Sequence, residues 1–194
     1  MLRPADMDEH IREFMAVCDF PQALGALDGC HCPVSPPEEH ATDYYNYKGW
    51  HSIILLALVD HKYRFRYINV GAPGRSHDSH VYRMSSLSQM VASPLFMPPV
   101  AAIGEVAVPP PILCDQTFPL TPNLIKPFGH NGPLNEDQRT FNCHISRARL
   151  QFQWLQEVQQ SDNELPQPVR SSDSEIGNAV HQCRTHTGYF RQRM

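Results

Sequence analysis

Ser52-Ile53-Ile54-Leu55-Leu56-Ala57-Leu58-Val59, Asp60-His61-Lys62 and Tyr63-Arg64-Phe65-Arg66-Tyr67-Ile68-Asn69-Val70 are three consecutive pieces, and together they decide the fold. The first piece is apolar at every position after Ser52, as expected of a strand buried on both faces. The second is short and polar, and it turns the chain. In the third, Tyr63, Phe65 and Tyr67 alternate with Arg64, Arg66 and Ile68, the period-2 pattern of a strand with one aromatic and one mostly basic face. The reading is an antiparallel hairpin over 52–59 and 63–70.

Working outward from the hairpin, Ile11, Phe14, Met15 and Cys18 recur at helical spacing and predict a short helix over 8–18. Ala23 to Leu27 is a small apolar run, read as a strand that ends in a sharp turn at Asp28-Gly29. On the other side, Gly71-Ala72-Pro73-Gly74 is a loop, and Ser76 or Asp78 can cap a helix reaching about Val91. Residues 93–111 hold six prolines and no periodicity, so they read as a surface excursion. Ile112-Leu113-Cys114 is a short buried strand ending at Asp115. A long helix follows over about 136–159, capped by Asn135, with Phe141, Ile145, Ala148, Phe152 and Leu155 as its buried stripe.

This order divides the chain into a helical lead-in (1–22), an α/β domain (23–160) and a polar Pro/Ser-rich tail (161–194) expected to be poorly ordered. Its 194 residues suffice for one domain with a real core. No run approaches the roughly 18 apolar residues that span a bilayer, and no signal peptide opens the chain, so the six cysteines are expected to stay reduced inside a cell. The net charge of −4 argues against gripping nucleic acid by bulk electrostatics. It leaves room for a nuclease, whose metal-holding carboxylates are themselves negative.

Three acids stand where elements begin or end: Asp28 and Asp115 after short strands, Asp78 at a helix start. Carboxylates anchored this way suit hard divalent cations, and paired cations about 4 Å apart serve phosphodiester hydrolysis. By spacing alone, solvated turn and cap aspartates are the better account of all three.

The motifs around them add more. Gly25-Ala26-Leu27-Asp28-Gly29-Cys30-His31, Tyr44-Tyr45-Asn46-Tyr47-Lys48-Gly49-Trp50-His51-Ser52, Gly71-Ala72-Pro73-Gly74-Arg75-Ser76-His77-Asp78-Ser79, and Ile112-Leu113-Cys114-Asp115 come in this order. Lys126-Pro127-Phe128, Phe141-Asn142 and Ser146-Arg147-Ala148-Arg149 then follow. Over roughly residues 8–153 the chain resembles the Harbinger branch of the DDE-type transposase superfamily, including nuclease-like proteins domesticated from it. The resemblance implies a ribonuclease H-like fold, a mixed sheet flanked by helices. It implies Mg²⁺ or Mn²⁺ as cofactor and DNA as substrate, with Asp28 and Asp115 as catalytic metal-holding acids and Asp78 as a third metal ligand. It also implies DNA contact by Lys48, Arg75 and Arg149, a nuclear (also cytoplasmic) location, and a separate Myb-like DNA-binding partner.

Two departures matter. Tyr47 stands where the family has Arg, and Gln153 occupies the position of the closing catalytic Glu. An amide can lend an oxygen, but it supplies neither negative charge nor a proton acceptor. The expectation is therefore a DDE-type nuclease with a degenerate site. The alternative is a non-catalytic DNA- or protein-binding remnant of a domesticated transposase.

Overall fold

The computed structural model describes residues 7–62, 64–93, 96, 100–129 and 132–161, with side chains described only as far as Arg149 in the last stretch. Five strands form a mixed sheet: β1 (Gly25–Pro33), β2 (Ser52–Val59), β3 (Phe65–Pro73), β6 (Ile112–Leu113) and β7 (Leu124–Ile125), in spatial order β3-β2-β1-β6-β7. A separate exposed hairpin, β4 (Ala101–Ile103) with β5 (Val106–Val108), occupies part of the stretch read as a surface excursion. The helices are α1 (Met7–Cys18), α2 (Ala41–Tyr44), α3 (Asp78–Met84), α4 (Ser86–Val91) and α5 (Glu136–Ser161). The fold is thus the expected α/β class, a mixed sheet flanked by helices. The predicted tail falls, from residue 162 onward, outside the described residues.

Every residue of β2 is buried, and its side chains divide by parity. Ile54, Leu56 and Leu58 join Leu27, Val81, Tyr82, Leu87, Ile112 and Leu124 on the face covered by α3 and α4. Ile53, Leu55, Ala57 and Val59 join Ala26, Cys32 and Phe65 on the other. Each fully buried Ile, Leu or Val contributes about 1.5–3 kcal/mol, so this one strand anchors both layers. A third cluster ties α1 (Phe14, Cys18) and α5 (Ile145, Ala148) to Leu113 of β6.

The hairpin pairs antiparallel as read, with two extra residues in β3. Leu58 pairs with Tyr67 and Val59 with Phe65, which leaves Arg66 as a bulge. Such an insertion moves the following side chains to the opposite face. Phe65 and Tyr67 therefore pack into different core clusters, and the expected single aromatic face does not form. The second extra residue is Gly71, between the pairs Ile54–Ala72 and Leu55–Val70, at φ 111°. A side chain is strained in that conformation, which accounts for the glycine.

The turn is held by Asp60, whose side chain is fully buried. Its Oδ1 accepts the Lys62 N–H (2.8 Å) and the Arg64 N–H (3.0 Å), and its Oδ2 accepts Nε–H from Arg64 (2.8 Å) and Arg66 (2.7 Å). Burial alone would raise this carboxyl's pKa, but these hydrogen bonds and the arginine charges hold it below its ordinary value. Arg64 and Arg66, which the sequence offers as a basic face for phosphate, are thus committed to Asp60.

Three local expectations need correction. β1 does not stop at Asp28-Gly29 but runs on to Pro33, because β2 pairs with it over the whole length, from Ala26–Val59 to Pro33–Ser52. The helix expected over 78–91 is two helices, broken at Ser85, which is extended (ψ 153°). There the Ser85 hydroxyl donates to the Tyr82 carbonyl (2.7 Å) and accepts the Ser88 N–H (3.2 Å), closing one helix and capping the next. The cap of α3 is His77, without a side-chain hydrogen bond, so Asp78 is the first helical residue and its carboxylate is left for other work.

α5 starts as expected. Asn135 Oδ1 accepts the Gln138 N–H (2.8 Å), and Gln138 Oε1 accepts the Asn135 N–H (3.1 Å), a reciprocal capping box. Asn142 then clamps the backbone of Phe128 through both its N–H (2.8 Å) and its carbonyl (3.1 Å). Ile145 and Ala148 of the predicted stripe are fully buried, while Phe152 and Leu155 lie beyond the described side chains.

Candidate metal centre

β1 and β6 run parallel, with Gly25 opposite Ile112 and Ala26 opposite Leu113. The pairing ends two residues before Asp28 on β1 and two before Asp115, which follows β6, and such neighbouring strands lie about 4.8 Å apart. Residues two apart on a strand share a face, so Asp28 falls on the face of Ala26, where Arg149 of α5 meets it. Parallel pairing needs a long crossover, and here it is the chain from β2 through β3, α3, α4 and the small hairpin.

Asp78 approaches from α3. A Cβ on Gly29 would overlap the carboxylate oxygens and Cγ of Asp78, so the side chain rests directly on the glycine backbone next to Asp28. This contact explains why glycine follows Asp28. The sequence motif contains both residues but says nothing of their meeting.

Asp28 and Asp78 both sense the negative charge around them. Burial pushes the Asp78 carboxyl up to about 6, and the charges of Asp28 and Asp115 add to the effect. Asp28 is also raised, first by burial and then by Asp115, against the opposing pull of Arg149. Its Oδ1 accepts the Gly29 N–H (2.9 Å) and its Oδ2 accepts Nη2–H from Arg149 of α5 (2.7 Å). Asp115, at the mouth of the group, accepts the Thr117 N–H (2.8 Å) and hydroxyl (2.5 Å) at Oδ1. Burial and the same negative field raise the neighbouring Cys114 thiol to about 12, so it stays protonated.

These donors fit a hard divalent cation in kind, being carboxylate oxygens that repel one another when charged. Among the described residues, no three His, Cys, Asp or Glu side chains stand already grouped around an ion position.

The positions named for DNA contact separate into two places. Arg149 lies on Asp28. Lys48 is exposed in the loop before β2, and Arg75 is joined to Asp43 (3.3 Å) beside that loop. Ser52, where the loop ends, pairs with Pro33, five residues beyond Asp28 on β1, so the loop lies about 16 Å along the strand from the acids. Position 153 is in α5, one turn after Arg149, and its side chain lies outside those described.

Sequence reasoning missed a polar knot at the loop's base. The buried Ser52 Oγ accepts from Asn46 Nδ2 (2.9 Å) and contacts His31 Nδ1 (2.8 Å). Asn46 Oδ1 in turn accepts the N–H groups of Lys48 (2.9 Å) and Trp50 (3.3 Å). The signal was an Asn and a Ser six apart around Lys48-Gly49, polar residues that hold a turn.

Residues 27–184 match the family described as DDE superfamily endonuclease. The chain belongs to that family. Within it, a stretch of 76 residues is 32% identical to a rat protein named "Putative nuclease HARBI1", and 30% identical to the human and bovine proteins of the same name. That stretch is 39% of this chain and 22% of each relative, so the likeness spans less than a quarter of their length. No solved structure matches the chain. Among the described residues, no helix of this endonuclease-family chain is long and apolar enough to cross a membrane.

Proposed function

We propose that the chain is a nuclease-type domain built for divalent-metal hydrolysis of DNA phosphodiester bonds, and that Gln153 leaves it with little or no activity of its own. The single observation that carries the reading is the parallel β1–β6 pairing, which ends two residues before both Asp28 and Asp115, with Asp78 leaning on Gly29 next to Asp28. Asp28 and Asp115 would hold Mg²⁺ or Mn²⁺, with Asp78 assisting. When bound at such a site, divalent cations polarise the phosphoryl group and ease deprotonation of water.

This chain's own residues do the rest. Burial of Asp28 keeps bulk water from its carboxylate, and the Gly29 N–H fixes the Oδ1 direction. Thr117 orients Asp115 in the same way. The amide of Gln153, on the helix that carries Arg149, accepts no proton and adds no charge. Lys48 and Arg75 suit phosphates further along the same strand. A nuclear location and a Myb-like DNA-binding partner belong to the same reading.

The test is nicking of supercoiled plasmid with Mg²⁺ or Mn²⁺. The unmodified chain should nick poorly or not at all, Gln153→Glu should nick, and Asp115→Ala in that background should abolish it. Equal activity of the unmodified and Glu-containing chains would remove Gln153 from the site and bring Glu157 forward. Inactivity of both would favour the binding-remnant reading.

A further inference from the structure

Asp28 is a buried carboxylate that already has a cation, and that cation is Arg149. The guanidinium comes from α5, 121 positions later in the chain, and reaches Oδ2 through Nη2 at 2.7 Å. It makes no two-pronged fork: Nε is buried and, among the described residues, has no hydrogen-bond partner. An arginine placed for permanent structure normally satisfies its fork, since a buried unpaired N–H is costly. Here one contact holds it, and its side chain remains about one-fifth exposed (22%), so a path outward exists.

Both atoms of the pair are positioned independently of each other. Asp28 is fixed by the β1–β2 ladder and the Gly29 N–H, and Arg149 follows the buried Ala148 and Ile145 of α5. The sheet and helix would therefore stay in place if the contact opened. Asp115 follows the strand paired with β1, and its negative charge reaches Asp28. With Oδ1 engaged by the Gly29 N–H, a cation that binds Asp28 meets the guanidinium at Oδ2.

We propose that Arg149 is an internal stand-in cation for the metal-free site, holding Asp28 Oδ2 until a divalent ion displaces it, so that guanidinium and metal compete for one carboxylate. This inference rests on the metal-binding reading above and adds a regulation to it. Arg149 is a positioning residue in this scheme. It offsets the charge of a buried carboxylate and aims it, at the cost of weaker metal binding. An opposite charge at this range shifts a carboxylate's proton equilibrium by about 1–3 units. Its removal should therefore change cation affinity by about tenfold or more.

The experiment is calorimetric titration of the full chain with Mn²⁺ alone, with no nucleic acid, alongside circular dichroism to verify folding. Arg149→Met removes the charge. Arg149→Gln removes the charge but keeps a hydrogen-bond donor for Asp28, and so guards against failure to fold. Either variant should bind Mn²⁺ about tenfold or more tightly than the unmodified chain, and should melt lower without metal and recover with it. Asp28→Asn should bind Mn²⁺ weakly or not at all. If Arg149→Gln binds no more tightly than the unmodified chain while Asp28→Asn loses binding, the competition is refuted and the metal site stands. If Asp28→Asn binds as well as the unmodified chain, the metal-site reading falls and takes the competition with it.

Discussion

Replacing Asp60 with Ala should be among the most damaging single changes outside the candidate metal centre. The carboxylate is fully buried at the β2–β3 turn and accepts four hydrogen bonds, two from backbone N–H groups and two from arginines. Hydrogen bonds to a charged group are worth about 1.5–3 kcal/mol each before allowance for solvent. The Arg64 side chain is 45% exposed, so its share is largely screened and is set near zero. Two turn N–H groups and Arg66 remain, at about 1 kcal/mol each, for a total of about 3 kcal/mol, at the lower end for breaking a buried pair. On a chain of this size that is a fall of about 6–12 °C in Tm. Asp60→Asn keeps an acceptor for the turn but sets an amide NH₂ against the arginines, and should lose about half as much. The pH dependence has a definite sign. The folded pKa is lowered, so this stabilisation is present above the unfolded value near 4 and is lost as pH falls through the folded pKa. The difference between Asp60→Ala and the unmodified chain should therefore shrink on acidification. Urea unfolding followed by circular dichroism at neutral and acid pH measures both effects. A loss below about 1 kcal/mol at pH 7, or a difference that grows in acid, would refute the account of the turn.

Gly29→Ala puts a methyl group where the Asp78 carboxylate rests, and should cost about 1–3 kcal/mol by overpacking. Mn²⁺ affinity should fall more than stability does, and a calorimetric titration showing unchanged affinity would exclude Asp78 from the site. Asp78→Asn should stabilise the metal-free chain at neutral pH, by about 1 kcal/mol after allowing for partial exposure. Its carboxyl is raised to about 6, so the penalty is absent below the unfolded pKa and complete above about 6. Melting curves at pH 7.5 and pH 3 should show the gain only at the higher pH. Ser52→Ala leaves Asn46 Nδ2 and His31 without their shared oxygen, and should cost about 1–3 kcal/mol. Hydrogen exchange should speed up at the Lys48 and Trp50 amides if that knot holds the loop, and unchanged exchange there would show that it does not.

Much of this protein is legible in the sequence because it is local. The buried β2 strand, its hairpin with β3, the helix before residue 18 and the capped start of α5 each follow from residues a few positions apart. Periodicity and turn chemistry act over that range. The ordered motifs around Asp28, Asp78 and Asp115 carried the family as well. Errors arose where a distant partner overrode local signals. Asp28-Gly29 reads as a turn, yet β2 pairs straight through it, and Gly29 is small because Asp78 presses on it from α3. Arg66 reads as one of a basic face, yet a bulge and the buried Asp60 claim it. The partner of Arg149, a carboxylate 121 residues away, is likewise absent from any local signal. Only the tertiary structure could decide these, because a charge's partner is chosen by which strand ends and helix faces the packed core brings together. No spacing along the chain records that choice.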